Sequence, residues 1–313
     1  MKEFARDLIH KHAVGLEWPE FLGAVALGER FLVETERFNL ANGPIEINGV
    51  KAGEIIAIHV EKIEMVGPFI SPNGGPFFEG MGDPVPIEYR DSRFFFPRGL
   101  ILEAKPSVGN VAVLPEPTER ILGLSRDARD KWGWRFVVNG PRGKHCHQDC
   151  RYLGEGAIIH LKAQVDGAGL CLADVHGYIG QGETAFAGIE VASRIQLRVE
   201  RSKGWHVDWP LIETEDEIMV FCSDMNVLEC REDMEYVDVV RMVYKAMREV
   251  VAARMGCTIA EANPIVATAL DIRNCAIYGL ANYIQKDGKG PAKGDVDIAI
   301  VGALPKSLFP EPA

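Results

Sequence analysis

Leu170-Cys171-Leu172-Ala173-Asp174-Val175-His176-Gly177-Tyr178-Ile179-Gly180-Gln181-Gly182-Glu183 runs from an apolar stretch into a glycine-punctuated turn. Four apolar residues in succession, bounded upstream by the turn pair Asp166-Gly167, suit a strand buried on both faces. Asp174 and His176 are two residues apart, so an extended chain points them to one side. They emerge at the end of the buried strand, a rigid mount for reactive side chains. Gly180 and Gly182 then let the backbone turn tightly and come close to a ligand.

A second polar cluster lies just upstream, Lys144-His145-Cys146-His147-Gln148-Asp149. On an extended segment His145, His147 and Asp149 share one face. Two histidine-bearing segments with carboxylates suggest a divalent metal, and imidazole with carboxylate suits zinc, manganese or iron. H-x-H also opens the metal motif of cupins, but that motif needs a glutamate about four residues on, and Glu155 is too far away. The bland alternative is a polar turn with exposed histidines.

Strand signals recur on both sides. Ile45, Ile47, Val50 and most of Ile55 to Val60 are β-branched, and they are separated by Gly49 and Gly53. Val111 with Val113, Ala157 to Val165, Ile195 to Val199 and the late Val296, Ile298 and Ile300 read the same way. Residues 68–97 are rich in proline, glycine and aromatics and read as a long loop, either covering a site or a plain surface Ω-loop. After Cys230 the period changes. Val237, Val240, Tyr244, Met247 and Val251 are spaced for an amphipathic helix from Asp233 to Met255, with Asp233 as N-cap and Gly256 as its stop. Thr258 and Glu261 form a capping box. Asn263-Pro264 reads as a helix restart, with Pro264 in the first turn. The fold class expected is α+β, mostly β: a β-sandwich or barrel-like body over residues 1–230 and a smaller helix-rich part over 231–313.

Composition narrows the function classes. The 313 residues carry a net charge of −11, which disfavours nucleic acid and anionic membrane as partners. The 32 glycines and 18 prolines fit many turns and much β structure. No apolar run approaches the ~18 residues that span a bilayer. With no signal-peptide pattern at the N-terminus, the seven cysteines read as reduced thiols of a cytoplasmic protein. Phosphate-loop, dinucleotide and nucleophile-elbow motifs are all missing.

The stretch from Ala173 to Glu183, followed by Gly188-Ile189-Glu190, resembles the acetamidase/formamidase family. That family carries a block reading roughly G-D-x-H-x-x-Q-G-D-G-E, then A-I-E. Weaker likenesses run in the same order along the chain: Gly43-Pro44-Ile45 to Glu54, Lys105-Pro106-Ser107-Val108-Gly109 to Pro115, Asp149 for the acid of G-G-N-x-D, Gly154 to Ile158, and Leu304-Pro305-Lys306 to Phe309. This chain departs from the pattern at Ile179, at Gln181, and at His145-Cys146-His147 in place of Gly-Gly-Asn.

The resemblance implies hydrolysis of a small linear carboxamide to carboxylate and ammonia, carried out by a homodimer. The two histidine-bearing segments, read on their own residues, offer His145, His147, Asp174 and His176 as ligands of a divalent metal, zinc foremost. Asp149 or Glu183 would be the general base that later protonates the leaving nitrogen. Without a metal, Asp174 and His176 would activate water with Glu183, and Glu190 would only support the others. Two alternatives stay open: the same fold acting on another C–N bond (a cyclic amide, an amidine or a larger amide), and a non-catalytic β protein that binds a metal or ligand.

Overall fold

Alternation of side chains along the strands decides the layering. In the strand Glu217–Ser223, Met219 and Phe221 join one apolar core, while Ile218, Val220 and Cys222 join another. A period of two thus buries both faces of one sheet. The computed structural model describes residues 1–10, 20–37, 41–75, 80–116, 147–185, 187–224, 235–277 and 298–310.

The first sheet has nine strands in the order Lys2–Phe4, Arg30–Thr35, Ser193–Arg201, Ile55–Met65, Ile158–Lys162, Leu211–Glu213, Glu217–Ser223, Ala299–Pro305 and Asp271–Ala276. The second has seven: Gly23–Val25, Asn42–Ile47, Leu170–Tyr178, Ile189–Glu190, Ile70–Gly75 and Gly80–Pro86 in order, with Ser107–Val113 also paired to Leu170–Tyr178. A small three-stranded sheet joins Ile101–Glu103, Arg93–Phe95 and Glu88–Arg90. The main core draws on both large sheets, including Phe31, Ile58, Leu197 and Phe221 from the first and Ile45, Val111, Leu172 and Val175 from the second. Each such fully buried side chain contributes about 1.5–3 kcal/mol. The mostly β, α+β class expected from the sequence is what the chain adopts. No helix of the described residues is long and apolar enough to cross a membrane.

Two helices cover the outer face of the nine-stranded sheet, α1 at Tyr236–Met255 and α2 at Ile259–Ala269. Gly256 ends α1 in the left-handed conformation, and Thr258 with Glu261 forms the capping box of α2, both as read from the sequence. Three readings are corrected. The cap of α1 is Glu235, paired with Asp238, while Asp233 lies outside the described residues. The packed face of α1 is centred on Val239, Val243, Met247, Val250 and Val251, with Val240 and Tyr244 partly buried beside it, so of the sequence-read stripe only Val237 is exposed. Helix α2 runs through Pro264 without a restart. Asn263 is no cap, since its Oδ1 accepts from Tyr244 at 3.0 Å and Arg248 at 3.3 Å and so ties α2 to α1. Packing of Ala262 and Val266 offsets the one hydrogen bond that the proline forgoes.

The stretch 68–97 is also corrected, since its described residues form strands. Gly80–Pro86 is the outermost strand of its sheet, where prolines cost no ladder bond.

Glu213 fastens the end of the chain to the body. Its carboxylate meets Lys306 Nζ at 2.5 Å, and His160 Nε2 and the Trp205 indole N–H at 3.3 Å each. Burial alone would raise its pKa, but the hydrogen bonds from His160 and Lys306 outweigh burial and hold it at about 2, against an ordinary 4.5. A depressed carboxylate stabilises the fold above its unfolded pKa and stops doing so as pH falls through the folded one. Thermal midpoints of wild type and Glu213→Gln should therefore differ at pH 6, and the gap should close between pH 4.5 and 2.

Candidate functional site

The strand Leu170–Tyr178 lies in the middle of the second sheet, flanked by Ser107–Val113 and by Asn42–Ile47. Asp174 and His176 are inside this strand rather than past its end. Opposite them stands Gly109, where a Cβ would lie 2.5 Å from Asp149 Oδ1, 2.6 Å from the Asp174 carbonyl oxygen and 2.8 Å from His176 Cε1. Only glycine lets the two strands and the segment 147–149 converge so closely. On the other side, a Cβ at Gly188 would meet the His176 ring at 2.7 Å. Two glycines thus clasp one imidazole.

The segment 147–149 is not an extended strand, which corrects the shared-face reading. Asp149 has φ 43° and His147 has φ 20°. The backbone N–H groups of Gln148 and Asp149 both donate to the Gly109 carbonyl at 2.8 Å. The Gln148 side chain pairs like a strand with Val111, accepting from its N–H and donating to its carbonyl, each at 3.0 Å. The His147 N–H donates to Asn110 Oδ1 at 3.0 Å. These bonds turn the chain back on itself and bring His147 and Asp149 to Asp174 by a route that residue spacing does not reveal.

His147 Nε2 lies 2.8 Å from Asp149 Oδ2 and 3.0 Å from Asp174 Oδ2. His176 Nε2 lies 3.1 Å from Glu190 Oε1 and 3.9 Å from both Asp149 Oδ1 and Asp174 Oδ2. Glu183 offers an oxygen within 4.8 Å of ligand atoms of Asp149 and His176. Its loop is docked on the last strands: the Gly182 N–H donates to Cys275 at 3.2 Å and the Ile277 N–H donates to Gly182 at 2.9 Å. All six side chains are buried. Of the eight non-glycine residues with positive φ among the described residues, His147, Asp149, Asp174 and Glu183 are four. Such backbone costs about 1–3 kcal/mol per residue and collects at functional sites.

The sequence-predicted residues His147, Asp149, Asp174, His176 and Glu183 therefore come together. His145 lies outside the described residues. Glu190, read as a supporting residue, stands against His176 in the cluster itself. Gly109 enters the sequence reading only within one of the weaker family likenesses, and Asn110 and Gln148 carry no role there, because the part of all three is to shape backbone.

Charge explains the titration of the pair at the centre. Burial opposes charging of His176, yet the carboxylates of Glu190, Asp174 and Asp149 outweigh it and hold the imidazole well above its usual pKa of 6.5. Burial raises the pKa of Glu190, with Asp174 and Asp149 adding to the rise and His176 opposing it. Three overlapping sets can each present ligand atoms to one ion: His147, Asp149 and Asp174; Asp149, His176 and Glu183; and Asp174, His176 and Glu190. Four carboxylates keep an excess of negative charge even over two protonated imidazoles. Nitrogen and oxygen donors of this kind fit a borderline or hard divalent ion, zinc or manganese included.

The family model of the acetamidase/formamidase family matches residues 97–252, which include every residue of this cluster. This chain belongs to the acetamidase/formamidase family. A Schizosaccharomyces pombe protein named "putative formamidase" is 24% identical over 53% of the chain and 52% of the relative. The match thus spans about half the length of that curated relative. The fold is shared with the crystal structure of a "predicted acetamidase/formamidase" from Thermoanaerobacter tengcongensis, at TM-score 0.76 and 20% identity over 98% of this chain and 97% of the other. It is shared more distantly with a γ-lactamase from Delftia acidovorans, at TM-score 0.51 and 17% identity over 93% and 87% of the two chains.

A methyl group at Gly109 has no room among Asp149, Asp174 and His176. Gly109→Ala should therefore lower the urea midpoint of this family member by an amount equivalent to about 1–3 kcal/mol. An unchanged midpoint would mean that the three segments are not in contact at this glycine.

Proposed function

We propose that the chain hydrolyses a carboxamide C–N bond, giving a carboxylate and ammonia. The observation that carries this reading is the buried set of four carboxylates and two imidazoles, in a chain of the acetamidase/formamidase family. His147, Asp174 and His176, with His145, would hold a divalent ion, zinc foremost, and Asp149 and Glu190 lie close enough to take part. Such an ion, when bound, supplies Lewis acidity that stabilises developing negative charge and lowers the pKa of water.

The side chains supply the proton traffic. An amide resists attack because resonance quenches its carbon and because the nitrogen leaves badly unless protonated. Glu183, or in its place Asp149, accepts a proton from the attacking water as the new C–O bond forms. The same carboxyl then delivers that proton to nitrogen as the C–N bond breaks. Burial of the base keeps bulk water from competing for the proton.

A cyclic amide is the second reading. It rests on Ile179 and Gln181, where the family pattern has Gln and Asp, and on the fold shared with the γ-lactamase.

The test is ammonia release from formamide and acetamide, run beside amino-acid release from a lactam. Glu183→Gln should lower turnover of the preferred amide by about 10²–10⁴-fold. Asp174→Asn should lose turnover together with bound metal. Normal turnover in Asp174→Asn would overturn the site assignment, and full turnover in a metal-free preparation would overturn the metal.

A further inference from the structure

Two residues beyond Asp149, and two beyond His176, stand half-buried neighbours. Arg151 follows Asp149, and Tyr178 follows His176 at the end of its strand. Asp149 Oδ1 and His176 Nε2 are 3.9 Å apart in the buried layer. Arg151 places its guanidinium 5.6 Å from the centre of the Tyr178 ring, a cation–π distance. Asp149 and His176 are buried, whereas Arg151 and Tyr178 are partly open to solvent. The second pair thus reaches solvent within two residues of the first along each segment.

A second aromatic–arginine pair stands alongside. Tyr152 follows Arg151, its hydroxyl accepts from Gln181 Nε2, and Arg273 lies 5.3 Å from its ring centre. Arg273 is neutralised, since it donates to Glu217 Oε2 at 2.8 Å, to Glu217 Oε1 and to Asp271 Oδ2 at 2.7 Å. Arg151 is not. Among the described residues it pairs with no carboxylate. It is held by a ring face, which leaves its N–H fork free for a planar anion.

We propose that Arg151 selects an amide substrate that also carries a carboxylate, such as the mono-amide of a dicarboxylic acid. The carboxylate would take the fork of Arg151 over Tyr178, and the carboxamide would reach inward to the cluster. From His176 to Tyr178 the strand advances about 6–7 Å, which a spacer of two or three carbons bridges. The buried cluster is rich in carboxylates and repels an anion, so a guanidinium in the solvent-reaching pair is what makes an anionic substrate acceptable. The proposal rests on the amide-hydrolase reading above and names its substrate class.

The experiment compares isosteric pairs, succinamate against succinamide and glutaramate against glutaramide, in wild type, Arg151→Met and Arg151→Lys. Wild type should favour the anionic member of a pair by about tenfold or more in kcat/KM, the worth of one charge-assisted contact. Arg151→Met should bring the ratio close to one, and Arg151→Lys should keep part of it. A merely structural arginine would lower both members together and leave the ratio alone. A wild-type ratio near one, or a ratio that survives Arg151→Met, would overturn the proposal. Titration calorimetry with succinamate separates the two layers of inference. Binding that depends on Arg151 without turnover of any amide would support the anion site and overturn the hydrolase reading. Absence of binding and of preference would overturn the anion site.

Discussion

Burying four carboxylates with two imidazoles sets the terms for the rest of this structure. Asp149, Asp174, Glu183 and Glu190 lie among apolar strands with His147 and His176, close enough that neighbouring carboxylates hold the His176 imidazole above its usual pKa against the opposing effect of burial. Ions taken out of water cost several kcal/mol each unless they are paired and hydrogen-bonded. A fold keeps such a group only where the surroundings over-determine its position. Here that task falls on backbone: paired N–H groups aimed at the Gly109 carbonyl, the Gln148 amide matched to Val111, and two glycines closing on the His176 ring.

The two-sheet architecture supplies the rigidity. The strand carrying Asp174 and His176 sits between two neighbours and contributes Leu172 and Val175 to the main core. It cannot slip by one residue without turning its apolar set out of the core. The loop that carries Glu183 is bonded to residues 275 and 277, next to the last strands of the chain. Those strands are in turn packed under α1 and fastened through Lys306 and Glu213. The C-terminal part therefore reaches the cluster through hydrogen bonds, although most of the cluster's side chains come from the middle of the chain.

Much of this was legible in the sequence. Continuous apolar stretches such as Leu170 to Ala173 announced strands buried on both faces, and Thr258 with Glu261 announced the start of a helix. The polar residues of the two central segments pointed to the cluster, because charged groups at the end of an apolar stretch need a reason to be there. What stayed hidden was decided by tertiary contact. Nothing local says that Pro84 and Pro86 belong to an outermost strand, or that Asn263 spends its oxygen on Tyr244 and Arg248 while α2 passes through Pro264. The left-handed backbone at Asp149 and Asp174 is equally silent, since aspartate carries no mark of the strain it accepts. Glu190 looked peripheral because it follows the motif by several residues, and strand pairing is what returns it to His176.

The central claim is that this carboxylate–imidazole cluster holds a divalent ion. It is tested most directly by the metal content of the purified protein, measured by mass spectrometry before and after dialysis against a chelator. The account expects at least one equivalent of zinc or a similar ion per chain, and a weaker fold once that ion is stripped. A protein that is folded and fully active with no stoichiometric metal would contradict it.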